Sequence, residues 1–276
     1  MKDLRILTIQ DISCFGQCST TVALPILSAC GFETAIMPSS FLSTHTGGFK
    51  GFTFLDLTEE MEKISAHWEK EKIFFDCLYT GFLGNKKQVE VVKNVIKRHL
   101  NKGGLVVIDP AMADNGKLYP CFDKEYALEM KKLVFMSDIM LPNVTEACLL
   151  IDEKYQENHD EKYIESLCLK LKKLGAKKVV ITGINYSENT IGIAVFDGEK
   201  CQFYKHERVS KGCHGTGDVY SSAFVGAYLK GKGLFESAKI AADYVVKCIK
   251  STIDDQSHWY GVKFEKNIPY LIDKIK

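Results

Sequence analysis

The sequence has no long apolar run, no large charge excess and no CxxC cysteine pair. No stretch of its 276 residues approaches the about 18 apolar residues of a membrane-spanning helix. Its 36 basic and 35 acidic side chains nearly cancel, so neither a basic nucleic-acid surface nor an acidic tail is expected. The 10 cysteines include no CxxC pair, and a chain of this length does not need disulfides. The sequence therefore predicts reduced thiols and argues against nucleic-acid and membrane partners.

The first ten residues, MKDLRILTIQ, contain only a short apolar run, which Arg5 and Gln10 interrupt. This pattern does not match a secretory signal peptide. With 46% hydrophobic and 26% charged residues, the composition is typical of a soluble globular protein. No linker, repeat or low-complexity segment divides the chain. We therefore expect a cytoplasmic protein with a single domain over residues 1–276.

Apolar segments typical of buried strands alternate with longer amphipathic segments typical of helices. The predicted strands are 5–10, 34–37, 75–79, 105–108, 138–141 and 178–181. The predicted helices are 19–30, a segment starting with an N-cap near Thr58, 86–100, 124–134, 145–151, 161–174, a segment after Gly217, 234–251 and 266–276. This alternation predicts an α/β fold with a central, mostly parallel sheet and helices on both faces.

Residues 190–196 and 200–206 interrupt this alternation with two segments of period two. They flank Asp197, Gly198 and Glu199, and a glycine-containing turn between alternating segments is a β-hairpin signal. We therefore expect an antiparallel hairpin at one edge of the sheet.

Residues 211–230, KGCHGTGDVYSSAFVGAYLK, join a glycine-rich turn to an amphipathic helix. Gly215, Thr216 and Gly217 place little side chain around backbone N–H groups that a helix start leaves unpaired, which predicts a phosphate site. Asp218 follows directly, and a carboxylate beside an anion is costly unless it has a role. It could accept the proton of a substrate hydroxyl as phosphate arrives, or it could only cap the helix.

Polar side chains also follow the ends of the predicted strands, where an open parallel sheet binds its ligands. They are Asp11, Thr80, Gly81, Asp109, Asn143, Glu146, Thr182 and Gly183. Each alone is equally typical of a turn or a helix cap. Together they predict a crevice, in which Asp109 and Glu146 offer oxygen ligands that suit Mg²⁺, directly or through water.

The order and spacing of these segments resemble the ribokinase superfamily, and within it the pyridoxal kinase branch, over essentially the whole chain. The blocks that carry the resemblance are IQDISCFG at 9–16, the loop 41–48, TGFLG at 80–84, IDPAM at 108–112, LPNVTEA at 141–147, VVITG at 179–183 and GTGD at 215–218. The resemblance implies a ribokinase-like fold. It also implies ATP-dependent phosphorylation of the hydroxymethyl group of a B6 vitamer, which would feed pyridoxal phosphate salvage.

Carried over position by position, the resemblance makes Asp218 the catalytic base and Gly215, Thr216 and Gly217 the anion hole. The residues implied on the Mg-ATP side, besides Gly215 and Thr216, are Asp109, Tyr119, Asn143, Glu146 and Thr182, with Asp109 and Glu146 nearest the metal. The residues implied on the vitamer side are Asp11, His45, Thr46 and Thr80. The loop 114–121, with Gly116 as a candidate hinge, could cover the nucleotide and exclude water, or it could be an ordinary surface loop. ATP and Mg²⁺ are the implied cofactors, a monovalent cation such as K⁺ stays open, and a homodimer is expected.

The chain departs from the pyridoxal kinase pattern on both sides of the reaction centre. Asp11 stands where many of these kinases have Ser, which leaves the vitamer open. The approach Lys211-Gly212-Cys213-His214 differs from the Arg-Pro approach common in the branch and is closer to hydroxymethylpyrimidine kinases, the alternative activity. Cys213 could form a hemithioacetal with an aldehyde or could be a packed thiol, and His214 could contact phosphate or be solvated.

A protein that keeps the kinase fold but only binds a vitamer or nucleotide is a third alternative. Such a protein would be expected to lose the base or the glycines first. Asp218, Gly215 and Gly217 are all present, which favours an enzyme.

Overall fold

The computed structural model describes residues 3–209 and 213–276. Its strands are β1 Arg5–Ser13, β2 Glu33–Leu42, β3 Phe54–Asp56, β4 Phe75–Thr80, β5 Leu100–Ile108, β6 Ala113–Asp114, β7 Lys117–Leu118, β8 Ile139–Met140, β9 Lys178–Ser187, β10 Thr190–Phe196 and β11 Cys201–Glu207. Its α-helices are α1 Thr20–Ala29, α2 Thr58–Lys70, α3 Lys86–His99, α4 Lys124–Val134, α5 Val144–Ile151, α6 Glu161–Leu174, α7 Thr216–Leu229, α8 Leu234–Lys250 and α9 Ile268–Ile275.

One 9-stranded sheet contains all strands except β6 and β7, in the order β11-β10-β9-β8-β5-β4-β1-β2-β3. The strands from β2 to β9 within that order run parallel, whereas β3 and β10 are antiparallel to their neighbours. The predicted fold class is therefore confirmed, including the antiparallel hairpin of β10 and β11 at one edge.

Buried side chains form two hydrophobic clusters, one on each face of the sheet. Successive residues of a strand point to opposite faces, so Leu7 and Ile9 join one cluster while Ile6 joins the other. Helices α3, α4 and α6 contribute to the first cluster, and α1, α7, α8 and α9 to the second. This two-sided coverage explains why the parallel strands are continuous apolar runs rather than alternating ones.

Three local features were not predicted from the sequence. Strand β2 continues to Leu42, into the expected loop, because β3 pairs with its last residues. Residues 113–118 form a separate antiparallel hairpin, β6-β7. Helix α2 does not use Thr58 as its N-cap, because the Asp56 carboxylate accepts the Thr58 N–H at 2.7 Å and Leu57 occupies the N-cap position.

The composition predicted neither a membrane-spanning helix nor disulfide bonds. In the described parts of the chain, no helix is long and apolar enough to cross a membrane. All ten cysteines lie in the described parts of the chain, and none of them forms a disulfide there.

Candidate active site

The carboxyl ends of the central strands and the N-termini of α5 and α7 open into one cavity of about 780 Å³. Most of the residues predicted for the site line this cavity. They are Asp11, His45, Thr46, Asp109, Tyr119, Asn143, Glu146, Thr182, Gly215, Thr216, Gly217 and Asp218. The structure therefore brings together residues that are up to about two hundred positions apart in the sequence.

The start of α7 provides the glycine-rich wall of the cavity. Gly215 is the N-cap, with φ 73°, and a Cβ there would lie 1.6 Å from the carbonyl oxygen of Gln17. Only glycine fits this position, because both the backbone angle and the neighbouring backbone exclude a side chain. At Gly217, no described atom lies within 4 Å of a Cβ, so this face of the helix start is open to a ligand. The backbone N–H groups there can be reached by an anion.

Asp218 is the third residue of α7, and its side chain does not act as the N-terminal cap of this helix. The N-cap of α7 is Gly215, and no side chain caps the described start of this helix. The pKa of Asp218 is raised to about 7, mainly by burial; the negative charges of Asp109 and Asp11 also raise it, and the Ser19 backbone opposes the rise. A carboxylate of this pKa can accept and release a proton near neutral pH, as a general base requires.

Asp109 follows β5 directly and is only 8% exposed. One of its oxygens accepts the Ser221 hydroxyl at 2.7 Å, and its backbone N–H donates to the Thr80 carbonyl at 3.2 Å. Burial and the nearby charge of Glu146 raise the pKa of Asp109. Ser221 lies one helical turn after Asp218. Helix α7 therefore carries both the Asp218 carboxylate and the hydroxyl that bonds to Asp109.

Glu146 lies in the first turn of α5 and is 3% exposed. One carboxylate oxygen accepts the Asn143 N–H at 2.9 Å, and the other accepts the N–H groups of Met112 at 3.0 Å and Ala113 at 3.4 Å. Burial raises its pKa, and these three backbone donors oppose the rise. Glu146 is therefore a structural anchor as well as a cavity-lining carboxylate.

The β6-β7 hairpin corresponds to the flap expected at 114–121. Its turn is fixed to α5, because the Gly116 N–H donates to the Thr145 hydroxyl at 2.9 Å. The Asn143 amide donates to the Ala113 carbonyl at 2.7 Å, on the first strand of the hairpin. Tyr119 follows the hairpin and lines the cavity, and burial raises its pKa. The flap is thus a short hairpin bonded to the start of α5.

At the opposite end of the cavity, Asp11 is 4% exposed and accepts the Ser13 hydroxyl at 2.9 Å. Burial raises the pKa of Asp11, and hydrogen bonds from Ser19 and Ser13 oppose that rise. Asp11 therefore combines a bracing contact with a position in the cavity wall.

His45 is bonded to backbone groups through both ring nitrogens. Nδ1 accepts the Gly47 N–H at 3.1 Å, and Nε2 lies 2.7 Å from the Tyr260 carbonyl oxygen, which requires a proton on Nε2. Burial lowers the pKa of His45, so the neutral form is favoured. His45 consequently presents its ring, and not a nitrogen, to a ligand. The neighbouring Thr46 also lines this end of the cavity.

Besides Gly81, Thr80 is the one predicted site residue that is not part of the cavity wall. It is 1% exposed and supports the site through its carbonyl, which accepts the Asp109 N–H. Thr182 and Asn143 line the wall side by side, because their backbones form a parallel bridge. Cys213 and His214 also line the cavity, whereas Lys211 and Gly212 lie outside the described residues.

Arg208 is a lining residue that the sequence did not reveal. Among the cavity-lining residues that the structure describes, it carries the only permanent positive charge. Its guanidinium donates to the Asn185 side chain, while its buried Nε has no partner in the described part of the chain. An arginine after an edge strand has no distinctive sequence signal, so only the fold shows that it faces the cavity.

The donor set of the cavity suits a cation that arrives with phosphate. Asp11, Asp109, Glu146 and Asp218 place four carboxyl groups in its wall, and because burial raises the pKa of each, a bound cation would stabilise their ionised forms. The described residues contain no group of three or more His, Cys, Asp or Glu that could hold a metal by themselves. Mg²⁺ commonly binds through one or two carboxylates together with substrate phosphates, and Asp109 and Glu146 fit that arrangement.

Comparison with known proteins places these features in a family. The family model described as phosphomethylpyrimidine kinase matches residues 31–262. A Bacteroides thetaiotaomicron protein described as a candidate phosphomethylpyrimidine kinase, crystallised with pyridoxal, is 32% identical with a TM-score of 0.92, over 98% of this chain and 96% of that one. Pyridoxal kinase from Lactobacillus plantarum is 28% identical with a TM-score of 0.90, over 98% of this chain and 97% of that one.

The relatives that are similar in sequence include a kinase named for the alternative substrate, hydroxymethylpyrimidine. Hydroxymethylpyrimidine/phosphomethylpyrimidine kinase from Aquifex aeolicus is 30% identical over 173 residues, which is 62% of this chain and 66% of that protein. The similarity to both groups of kinases confirms the ribokinase-like fold and leaves the acceptor substrate unresolved.

Proposed function

Because the chain belongs to the phosphomethylpyrimidine kinase family, we propose that it is an ATP-dependent kinase that phosphorylates the hydroxymethyl group of a B6 vitamer. The observation that carries the proposal is the start of α7, where Asp218, with a pKa of about 7, stands beside the open N–H groups of residues 215–217. Pyridoxal, pyridoxamine or pyridoxine would be converted to its 5′-phosphate, which would feed pyridoxal phosphate salvage.

In this reaction, Asp218 accepts the proton of the acceptor hydroxyl while that oxygen forms a bond to the γ-phosphorus of ATP. The bond from the γ-phosphorus to the bridging oxygen breaks, and ADP leaves with the electron pair. The N–H groups at Gly215 to Gly217 stabilise negative charge on the transferred group, as preorganised donors do most effectively. The protein therefore contributes mainly position, charge and a base.

Asp109 and Glu146 are the residues that would hold Mg²⁺ on the nucleotide side. When bound, the ion supplies positive charge to the phosphate oxygens, in a cavity wall that is otherwise negative. Asn143, Thr182 and Tyr119 line the same side, and the β6-β7 hairpin limits access of water to the phosphates. Arg208 adds a fixed positive charge to this side.

The acceptor end suits a flat heteroaromatic ring. The His45 ring lines the cavity, and the rings of Phe49, 5.0 Å from it, and Trp259, 4.5 Å from Phe49, continue this aromatic cluster outside the lining residues. A ring such as that of His45 can stack with a pyridine or a pyrimidine. Asp11 adds an acceptor for a protonated ring nitrogen or for an ammonium group.

The second candidate is phosphorylation of hydroxymethylpyrimidine, which the family description and the Aquifex aeolicus relative favour. Its acceptor is also a flat nitrogen heterocycle with a hydroxymethyl group, so the same base and anion hole would serve. The approach Lys211 to His214 is the sequence feature that supports this alternative.

A coupled ADP-release assay with pyridoxal, pyridoxine, pyridoxamine and hydroxymethylpyrimidine tests the proposal. We expect at least one vitamer to accelerate ADP release above the ATP-only control and to give a higher kcat/KM than hydroxymethylpyrimidine. A higher kcat/KM for hydroxymethylpyrimidine would support the second candidate. No acceleration with any acceptor would contradict both and would favour a protein that only binds its ligands.

The proposal includes one domain for the whole chain, a cytoplasmic location and assembly as a homodimer. The edge strand β3 exposes Phe54 by 48% and Leu55 by 58%, and an apolar sheet edge is a surface that a second copy can cover. Light scattering should give the mass of a dimer, and Leu55→Lys should shift it toward the monomer. A monomeric parent protein at micromolar concentration would contradict this part of the proposal.

A further inference from the structure

Residues 152–160, here called the α5-α6 loop, connect α5 to α6 without forming a helix or a strand. In this fully described loop, only Tyr155 lines the active-site cavity. Its ring is partly buried and packs against the first hydrophobic cluster, whereas the neighbouring Lys154 and Gln156 are exposed. One aromatic ring of an otherwise polar loop is therefore part of the cavity wall, and the mechanism described above does not use it.

The Tyr155 ring lies directly against the turn of the flap. Gly116 forms this turn with φ 76°, and a Cβ on Gly116 would lie 2.8 Å from Cδ1 and 3.2 Å from Cε1 of Tyr155. The contact is thus made by ring carbons and not by the hydroxyl. Because the Gly116 N–H donates to the Thr145 hydroxyl at 2.9 Å, two different elements hold the flap turn, α5 through a hydrogen bond and the α5-α6 loop through the Tyr155 ring.

The backbone on both sides of Tyr155 is fixed by side chains. The Lys154 carbonyl accepts the Tyr163 hydroxyl at 3.2 Å, and the Gln156 carbonyl lies 2.7 Å from Nε2 of His159, which requires a proton on Nε2. A loop without regular secondary structure has few backbone bonds of its own, so these two bonds determine where its backbone lies. The Tyr155 ring consequently has a defined position next to the flap.

His159 joins the α5-α6 loop to the central sheet. Its N–H donates to the Asn185 carbonyl on β9 at 3.0 Å, and its Nδ1 accepts the Asn185 N–H at 2.9 Å. With the proton on Nε2, both ring nitrogens of the neutral imidazole are bonded, and burial lowers the pKa of His159, which favours this form. The His159 ring also contacts the Tyr155 ring edge to face at 5.6 Å. The support of Tyr155 therefore extends to a strand of the sheet.

We infer that Tyr155 is a positioning residue for the flap, because its anchored ring holds the turn at Gly116 over the nucleotide end of the cavity. This inference rests on the proposed kinase function. A tyrosine ring supplies a large, rigid contact surface at a low cost in conformational entropy, which suits it to this role. A flap that stays in place keeps water away from the phosphates of the nucleotide.

Loss of the Tyr155 ring should let water replace the acceptor hydroxyl. The water oxygen then bonds to the γ-phosphorus of ATP, and the bond from that phosphorus to the bridging oxygen breaks. ADP leaves with the electron pair, the proton of the water passes to Asp218, and inorganic phosphate is formed in place of a phosphorylated acceptor. The ratio of inorganic phosphate to phosphorylated acceptor therefore measures how well the flap is held.

Limited digestion with trypsin tests the flap contact without any reaction. Lys117 is exposed on the flap strand β7, and cleavage after it, identified by mass spectrometry, reports how often the flap leaves its place. Cleavage after Lys72, which is exposed in the turn after α2, serves as the reference within the same protein. Relative to that reference, we expect Tyr155→Ala to be cleaved after Lys117 roughly fivefold faster than the parent. Tyr155→Phe keeps the ring carbons that touch Gly116, so its increase should be less than about twofold.

Kinetics test the consequence for the nucleotide. In Tyr155→Ala, KM for ATP should rise by roughly fivefold or more, and the ratio of inorganic phosphate to phosphorylated acceptor should rise several-fold, while KM for the acceptor changes by less than about twofold. Tyr270→Ala is the matched control, because Tyr270 is also partly buried but packs on α9 outside the cavity lining. It should lower the melting temperature and leave the nucleotide KM and the product ratio at the parental values.

A folded Tyr155→Ala protein that is cleaved after Lys117 no faster than the parent, relative to Lys72, would overturn the inference. Equal effects of Tyr155→Ala and Tyr155→Phe would also overturn it, because the hydroxyl and not the ring would then be responsible. If Tyr155→Ala does not fold, Tyr155→Leu, which keeps apolar volume but has no flat ring, replaces it in both measurements. A parent protein that phosphorylates no acceptor would refute the proposed function, whereas the digestion needs no acceptor, so the two failures are distinguishable.

Discussion

Asn143 and Glu146 bond to each other twice across the first turn of α5. The Asn143 side chain accepts the Glu146 N–H at 2.9 Å, and the Glu146 carboxylate accepts the Asn143 N–H at 2.9 Å. This capping box also holds the flap, because the other Glu146 oxygen accepts the N–H groups of Met112 and Ala113. One carboxylate thus joins the helix start, the flap and the nucleotide side of the cavity.

Glu146→Gln should therefore change both metal dependence and stability. The amide removes a negative charge, so the Mg²⁺ concentration for half-maximal activity should rise several-fold. Its NH₂ group also replaces an acceptor with a donor facing a backbone N–H, which should cost about 1–3 kcal/mol of stability. Mg²⁺ titrations and thermal melts check both effects, with exposed Glu161→Gln as the control. Lower stability with an unchanged Mg²⁺ dependence would make Glu146 purely an anchor.

Asp218→Asn should remove the proton acceptor and keep the shape of the site. We expect kcat to fall by about 10²-fold or more, the usual scale for a general base, with little change in ATP affinity. Asp160→Asn is the matched control, because Asp160 is a true N-cap that accepts the Tyr163 N–H at 2.7 Å. If Asp218→Asn retains near-parental kcat, the carboxylate has no part in proton transfer.

The pH dependence of kcat/KM should follow the titration of Asp218. Burial raises the pKa of this group to about 7, so the carboxylate is mainly protonated below pH 7 and ionised above it. Only the ionised form can accept a proton, and kcat/KM reports the free enzyme, so the value should rise with pH and level off above about 7. A profile that is flat between pH 5.5 and 8.5 would contradict the assignment of the base.

Asp11→Ser should change the preference among the vitamers. A carboxylate at this position can pair with the ammonium group of pyridoxamine, so we expect the parent to use pyridoxamine at least as well as pyridoxal. The variant should shift the kcat/KM ratio toward pyridoxal by about 1 kcal/mol or more, which is roughly fivefold. Ser13→Ala, which removes a brace of Asp11 and keeps its charge, is the control. A less stable variant with an unchanged ratio would limit Asp11 to bracing the loop.

Arg208→Gln should weaken binding of the nucleotide. Hydrogen bonds to charged groups contribute about 1.5–3 kcal/mol, so KM for ATP should rise by roughly tenfold or more if the guanidinium contacts a phosphate. The KM for the acceptor should stay close to the parental value, because Asp11 and His45 line the other end. Arg98→Gln, which is distant from the cavity and faces Glu69, is the control. Equal rises in both KM values would point to a general disturbance.

The sequence predicted most helices and strands, because the spacing of buried apolar residues within one element depends only on neighbouring positions in the chain. Strands such as β4 and the helix after Gly217 follow from apolar spacing, and GTGD indicates an anion site because a helix start has unpaired donors. The motif order then indicated which residues meet at the cavity. Sequence could not show that both nitrogens of His45 are bonded to backbone, since one partner, Tyr260, is 215 residues away.

Ser19 and Thr80 are two further residues whose conformation or orientation could not be predicted from the sequence. Ser19 has a positive φ and follows Gln17, which packs closely against Gly215 and Gly261, and no local sequence pattern encodes these contacts. Thr80 follows a strand like the true cavity residues, but its side chain is buried and only its carbonyl supports Asp109. Spacing identifies the end of a strand, whereas the direction of one side chain depends on the packed structure.

The contacts of the acceptor end also determine when the site is completed during synthesis. His45 bonds to the carbonyl of Tyr260, and Gln17 bonds to Glu265, 248 residues later. On the ribosome, the loop that holds Ser19 and the helix that carries Asp218 emerge before these late partners. A nascent chain that ends before residue 258 would contain the glycine-rich start of α7. It would lack Tyr260 and Glu265, the partners of His45 and Gln17. Phosphoryl transfer should therefore begin only after the last of these contacts has left the exit tunnel, which protects ATP from hydrolysis by an incomplete chain.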